Sequence, residues 1–202
     1  MPEMLTPSKS LVLCLLATAC GAITSSPPAT ARLRVAHVSP GAPAVDFCLA
    51  RHGTTQFTGP ILAGAGRAAG LSYATVTRYF DVDPARYDVR LVAPGAAGCA
   101  QPLAGLDDFT RLPELTPGAS ATIAAEGTLG GQGDAGFTLR GYDDDTDAPP
   151  AQARLRLVHA SPGTPPVDAG TGGGAVFAPV FSAVAFGDAA TVTTAPLSDA
   201  LL

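Results

Sequence analysis

Two groups of residues carry the types that nucleophilic catalysis needs: His37, Ser39 and Asp46, and again His159, Ser161 and Asp168. A serine hydroxyl becomes a nucleophile when a histidine takes its proton and a carboxylate orients that histidine. His37 and Ser39 stand two apart, so on a strand their side chains share a face. Their context argues for a different role. Ser39 precedes Pro40 and Gly41, and Ser161 precedes Pro162 and Gly163, a setting in which a serine hydroxyl satisfies the backbone of a turn. Neither a nucleophile elbow nor a glycine-rich oxyanion motif is present. The expectation is a hydrogen-bond set that locks turns, with no catalytic residue; a hydrolase using these side chains is the alternative.

Other chemistry is weaker still. The third histidine, His52, has no metal-ligand spacing to the other two, and there is no Cys-x-x-Cys pair, so zinc is not expected. Asp143, Asp144, Asp145 and Asp147 form an acidic cluster that offers hard oxygen ligands to calcium, without the glycine turn or terminal glutamate of an EF-hand loop. A solvated linker is the expectation there and a calcium-dependent adhesion module the alternative. Gly127–Gly136 is glycine-rich but opens no helix and carries no Lys-Ser/Thr pair, so it predicts a hairpin loop instead of a phosphate cradle. Gly170–Gly174 is expected to connect strands as well. The formal charge is −5, and every cation except Lys9 is an arginine, scattered singly. No basic stripe exists to neutralise phosphates, which excludes nucleic acid as a partner. The pairs Arg32/Arg34, Arg86/Arg90 and Arg154/Arg156 alternate with apolar residues and predict solvated strand faces.

The elements that must position these residues follow from an internal repeat. Residues 31–46 read Ala-Arg-Leu-Arg-Val-Ala-His-Val-Ser-Pro-Gly-Ala-Pro-Ala-Val-Asp, and residues 153–168 read Ala-Arg-Leu-Arg-Leu-Val-His-Ala-Ser-Pro-Gly-Thr-Pro-Pro-Val-Asp, aligned without a gap. Each copy opens with strand alternation, turns at Ser-Pro-Gly and starts a second strand at Val-Asp. Further short β-like runs fall at Tyr73–Phe80, Tyr87–Ala93, Ser120–Ala125 and Phe137–Tyr142, and no amphipathic helix of useful length competes with them. Their spacing predicts an antiparallel sandwich. Asp83-Pro-Ala-Arg-Tyr87-Asp-Val89 resembles a tyrosine corner, with Val89 where an antibody domain carries cysteine.

The first residues read as a targeting segment. The apolar run 11–19 follows Lys9 and is too short to span a bilayer. Leu16-Ala-Thr-Ala-Cys20-Gly21 resembles the lipobox of bacterial lipoproteins, in which the cysteine is lipidated on sulfur and becomes the new N-terminus. Gly21 after that cysteine resembles lipoproteins sorted to an outer membrane. An ordinary secretory signal, leaving Cys20 as a free thiol or a disulfide partner, is the alternative. Export to an oxidising compartment leaves Cys48 and Cys99 to pair, or to remain two buried thiols.

The expected organisation is a signal peptide over 1–19, a flexible tether over 20–30, a first β-sandwich module over 31–143, an acidic and proline-bearing linker over 144–152, and a partial second module over 153–202. Residues 153–202 are too few to bury a core alone, so low order is expected there, or packing of Val176–Phe186 against the first module.

The paired opening segments resemble domain-of-unknown-function family 4397, which occurs in tandem on bacterial exported proteins; Ala85-Arg-Tyr-Asp-Val-Arg-Leu91 and Phe137–Asp145 are similar to that family too. The resemblance implies an all-β, immunoglobulin-like module and no established activity or cofactor. The chain is thus expected to be a non-catalytic surface lipoprotein of the cell envelope, attached to membrane by its lipid, with a structural role or a glycan or protein ligand.

Overall fold

In the computed structural model the described residues are 30–147, 150, 152–173 and 176–194. The signal segment, Cys20 and most of the tether lie outside them.

Alternation in the first copy builds the strand β1 (Ala31–His37), whose Leu33 and Val35 turn inward while Arg32 and Arg34 turn outward. After the Pro40-Gly41 turn the chain crosses to a second layer as β2 (Asp46–Arg51), followed by the one-turn helix α1 (Ile61–Gly64). It returns through β3 (Thr75–Val76) and β4 (Phe80–Val82), both antiparallel to β1 on the same edge. β5 (Tyr87–Val92) pairs antiparallel with β2, from Asp46 opposite Val92 to Arg51 opposite Tyr87. β6 (Ser120–Glu126) then takes the other edge of β1, and β7 (Thr138–Asp143) closes the sheet antiparallel to β6. A loop containing a short 3-10 turn at Gly133–Ala135 joins these last two strands, as the glycine-rich stretch predicts.

The predicted β-sandwich is therefore present. Leu33, Val35, Ile123 and Leu139 of one sheet meet Phe47, Leu49, Val89 and Leu91 of the other in one apolar core, each such side chain contributing about 1.5–3 kcal/mol by leaving water. One pair departs from the antiparallel expectation: β1 and β6 run parallel, with Arg32 opposite Ser120 and His37 opposite Ala125. The whole second layer lies between them in the chain and serves as the long crossover that parallel strands need. The tyrosine corner forms, Tyr87 Oη donating to the Asp83 carbonyl at 2.8 Å beside a buried Val89. Cys48 and Cys99 are disulfide-bonded. Beside the bridge, Arg90 donates to both carboxylate oxygens of Asp108 at 2.7 Å and to the Cys99 carbonyl, its guanidinium 4.1 Å from the ring centre of Phe57.

The second copy forms β8 (Ala153–Val158), β9 (Val167–Gly173), β10 (Val176–Val184) and β11 (Ala189–Thr194), where little order is expected from its length. β11 pairs with β8 as β3 and β4 pair with β1, and β10 pairs with β9. Its core is open. Leu33 has no exposed surface, whereas Leu155 at the matching position is 40% exposed, and Ala169 and Thr171 stand where the first copy buries Phe47 and Leu49. Of the cluster expected to connect strands, Gly170 to Gly173 instead supply the end of β9, and Gly174 lies outside the described residues. A Cβ on Gly170 would sit 2.1 Å from the Ala178 carbonyl oxygen, so the residue lets β10 approach.

The half-module leans on the outer face of the first sheet. Val158 packs with Val38, Ala36, Ala124 and Tyr142, and the turn Phe186-Gly187 rests on Arg140 and Tyr142. Contact thus runs through β8 and that turn, while Val176 and Phe177 on β10 stay exposed. Of the arginines expected to be solvated, Arg32 and Arg86 are exposed, whereas others are tied down. Arg34 lies 4.8 Å from the ring centre of Tyr79, and Arg154 and Arg156 reach acidic residues that follow β7.

Candidate functional site

In the first copy each of the three candidate side chains is engaged with backbone. His37 Nε2 donates to the Pro43 carbonyl at 2.9 Å, Ser39 Oγ donates to the Gly127 carbonyl at 2.6 Å, and Asp46 accepts the N–H groups of Phe47, Leu62 and Ala63 at 2.7–2.9 Å. All three are fully buried. Gly41 takes a left-handed φ of 76° in the turn that Pro40 opens, which is why glycine stands there. Because a carbonyl can only accept, the His37 proton resides on Nε2. A relay would need the serine hydroxyl aimed at a histidine nitrogen; here it is aimed at a carbonyl, and no hydrogen bond joins the three side chains to one another among the described residues.

The second copy repeats the plan with weaker burial. His159 Nε2 lies 3.2 Å from the Pro165 carbonyl, the Ser161 hydroxyl meets that of Thr164, and Asp168 accepts the Ala183 N–H at 2.7 Å. Pro162 and Gly163 make the same turn, Gly163 with φ 72°.

The acidic cluster differs from a solvated linker. Asp143 ends β7, and the Asp144 side chain is only 6% exposed, accepting from Tyr79 Oη at 2.6 Å and Thr122 Oγ1 at 2.5 Å while pairing with Arg34 and Arg156. Asp145 pairs with Arg154, and Asp147 donates its backbone N–H to Asp145. The carboxylates of Asp144 and Asp145 are spent on joining the two copies. Among the described residues no three histidine, cysteine, aspartate or glutamate side chains are grouped to hold a metal ion.

A third constellation lies at the junction of the copies. Glu126 closes β6 with no exposed surface, accepting from Tyr142 Oη at 2.6 Å. Arg140 Nε stands 3.3 Å from its other oxygen without being aimed at it, so the two attract as charges only. Tyr142 also lies 3.1 Å from the Gly187 carbonyl of the second copy. Burial raises the Glu126 pKa above its ordinary value, opposed by the Tyr142 hydrogen bond and by the charges of Arg140 and His159. Burial likewise raises the Tyr142 hydroxyl, helped by Glu126. Folding therefore favours the protonated glutamate: its contribution to stability is complete below the unfolded pKa, near 4.5, and is lost as pH rises through the higher folded value. Glu126→Gln is expected to flatten the fall in melting temperature from pH 4.5 toward neutrality, as thermal denaturation across that range will show.

Along β7, beside this junction, runs an open cleft of about 650 Å³ lined by Arg111, Pro113, Asp134, Phe137, Arg140 and Gly187 among others. Spacing in the chain did not point to it, because its residues come from three segments. The one signal available is Glu126, a charge ending the otherwise uncharged strand Ser120–Ala125, since a buried charge is rarely placed without a partner.

Fold and side chains together define a disulfide-pinned β-sandwich, partly repeated, whose conspicuous polar residues serve its own backbone. The chain belongs to the family described as Domain of unknown function (DUF4397), which matches residues 31–170 and so takes in the first module, β8 and the start of β9. No curated protein and no solved structure matches the chain.

Proposed function

We propose that this chain is a non-catalytic binding module of the cell envelope, exported and held to a membrane by a lipid on Cys20, with its ligand, a glycan or a protein, taken by the folded part. One observation carries the non-catalytic reading: the Ser39 hydroxyl and the Asp46 carboxylate, the groups a hydrolase would need free, are both consumed by buried backbone. The anchor rests on the lipobox-like residues 16–21. Two signals normally secure stable membrane attachment, and the acylated N-terminal cysteine of such lipoproteins carries more than one chain.

Ser39→Ala is the direct test. It strands the buried Gly127 carbonyl, so unfolding free energy should fall by about 1–2 kcal/mol, with no esterase, peptidase or glycosidase activity lost because none is present in the parent. A hydrolytic activity abolished by Ser39→Ala at unchanged melting would overturn the reading. Intact mass of the protein recovered from the membrane fraction tests the anchor: a diacyl or triacyl adduct on Cys20 supports it, and an unprocessed chain in the cytosol refutes it.

A further inference from the structure

We propose that the cleft along β7 binds an acidic oligosaccharide, with a sugar carboxylate held between Arg111 and Arg140. This rests on the binding-module reading above and names its ligand class and place.

The two guanidiniums are differently prepared. Arg111 is exposed, and its guanidinium has no hydrogen bond or ion pair among the described residues. Arg140 is held from behind: its Nε lies 3.3 Å from the buried Glu126 carboxylate, attracted by charge without a hydrogen bond, and the ring of Phe186 of the second copy lies beside it, 5.6 Å from ring centre to guanidinium carbon. Its terminal nitrogens have no partner among the described residues and are left for the cleft. A planar fork fixed in this way suits bidentate recognition of a planar oxyanion. Glu126 and Tyr142 then act as positioning residues for Arg140.

The remaining lining selects among anions. Asp134 is exposed at the same cleft with no partner among the described residues. Its charge, within a chain of net −5, disfavours a phosphate carrying nearly two charges, while its oxygens accept hydroxyl groups. Phe137 and Pro113 present apolar walls to the C–H face of a pyranose. One negative charge per unit, many hydroxyls and alternate apolar faces describe a uronic acid. At about 650 Å³ the cleft lies within the range of small-molecule sites, roughly 300–1,000 Å³, and it is open to solvent. It also lies at a junction of repeats, a common place for ligands.

The experiment is calorimetric titration of the full chain with a short oligogalacturonate and with its fully methyl-esterified, neutral counterpart. The acid should bind, the ester roughly tenfold or more weakly, and Arg111→Ala should weaken the acid by a similar factor while leaving the melting temperature unchanged, since the exposed Arg111 guanidinium holds no hydrogen bond or ion pair among the described residues. Arg111→Lys should restore part of the affinity. Equal binding of acid and ester, or full affinity in Arg111→Ala, would overturn the ligand class while leaving a binding module in place; absence of binding by the acid at millimolar concentration would overturn the site. Appearance of new reducing ends during the titration would instead refute the non-catalytic reading.

Discussion

Alanine at position 46 is expected to lower the unfolding free energy by about 3–5 kcal/mol and the melting temperature by about 10–20 °C. Asp46 has no exposed surface, and its two oxygens satisfy three backbone donors: its neighbour Phe47 and the residues Leu62 and Ala63 in the first turn of α1. Removing it strands those N–H groups where water cannot replace the carboxylate. Asp46→Asn keeps one acceptor and should fall between the two. In the second copy Asp168 receives, among the described residues, only the exposed Ala183 N–H, so Asp168→Ala should cost less than about 1 kcal/mol. Urea unfolding of the four proteins checks the series, and an unmoved midpoint for Asp46→Ala would restore the carboxylate to the catalytic relay it resembles in sequence.

Reduction of the disulfide is expected to cost about 4 kcal/mol, because the bridge closes a separation of 51 residues that the unfolded chain otherwise explores freely. The double variant Cys48→Ala/Cys99→Ala should lose a similar amount, plus a small packing loss at the buried Cys48. Arg90 still grips Asp108 and the Cys99 carbonyl in the reduced protein, so the loop after β5 should keep its place and the first module should stay folded at room temperature. Urea midpoints with and without dithiothreitol measure the difference. Identical midpoints would mean that the two sulfurs are not joined in the native protein.

These residues differ in how openly the chain announces them. Strand positions are legible because alternation of the Arg-Leu-Arg-Val kind has only one way to bury its apolar members, and Tyr87 is legible because its corner is local, spanning Asp83 to Tyr87. The pairing of Cys48 with Cys99 follows from the few cysteines left once the targeting segment is set aside. What stays hidden is long-range. Nothing near Arg32 indicates that Ser120 lies beside it in parallel. Asp144 looks like one of several solvated acids until the fold brings Tyr79, Thr122, Arg34 and Arg156 around it. The cleft is hidden for the same reason: Arg111, Asp134 and Arg140 meet only after β7 has found the outer edge of the sheet. The half-core of the second copy is half visible, in the small residues Ala169 and Thr171 that replace Phe47 and Leu49.

The parallel union of the first and sixth strands also sets a timetable. The opening strand can take β3 and β4 early, yet its other edge waits for Ser120–Glu126, and contacts so distant in the chain form slowly, on the order of milliseconds to seconds. A nascent polypeptide therefore spends most of its emergence with that edge bare and its interior unsealed. Under the export proposed above, such delay would keep the polypeptide threadable through a narrow translocation pore, closure coming only when nearly the whole module has reached the far side.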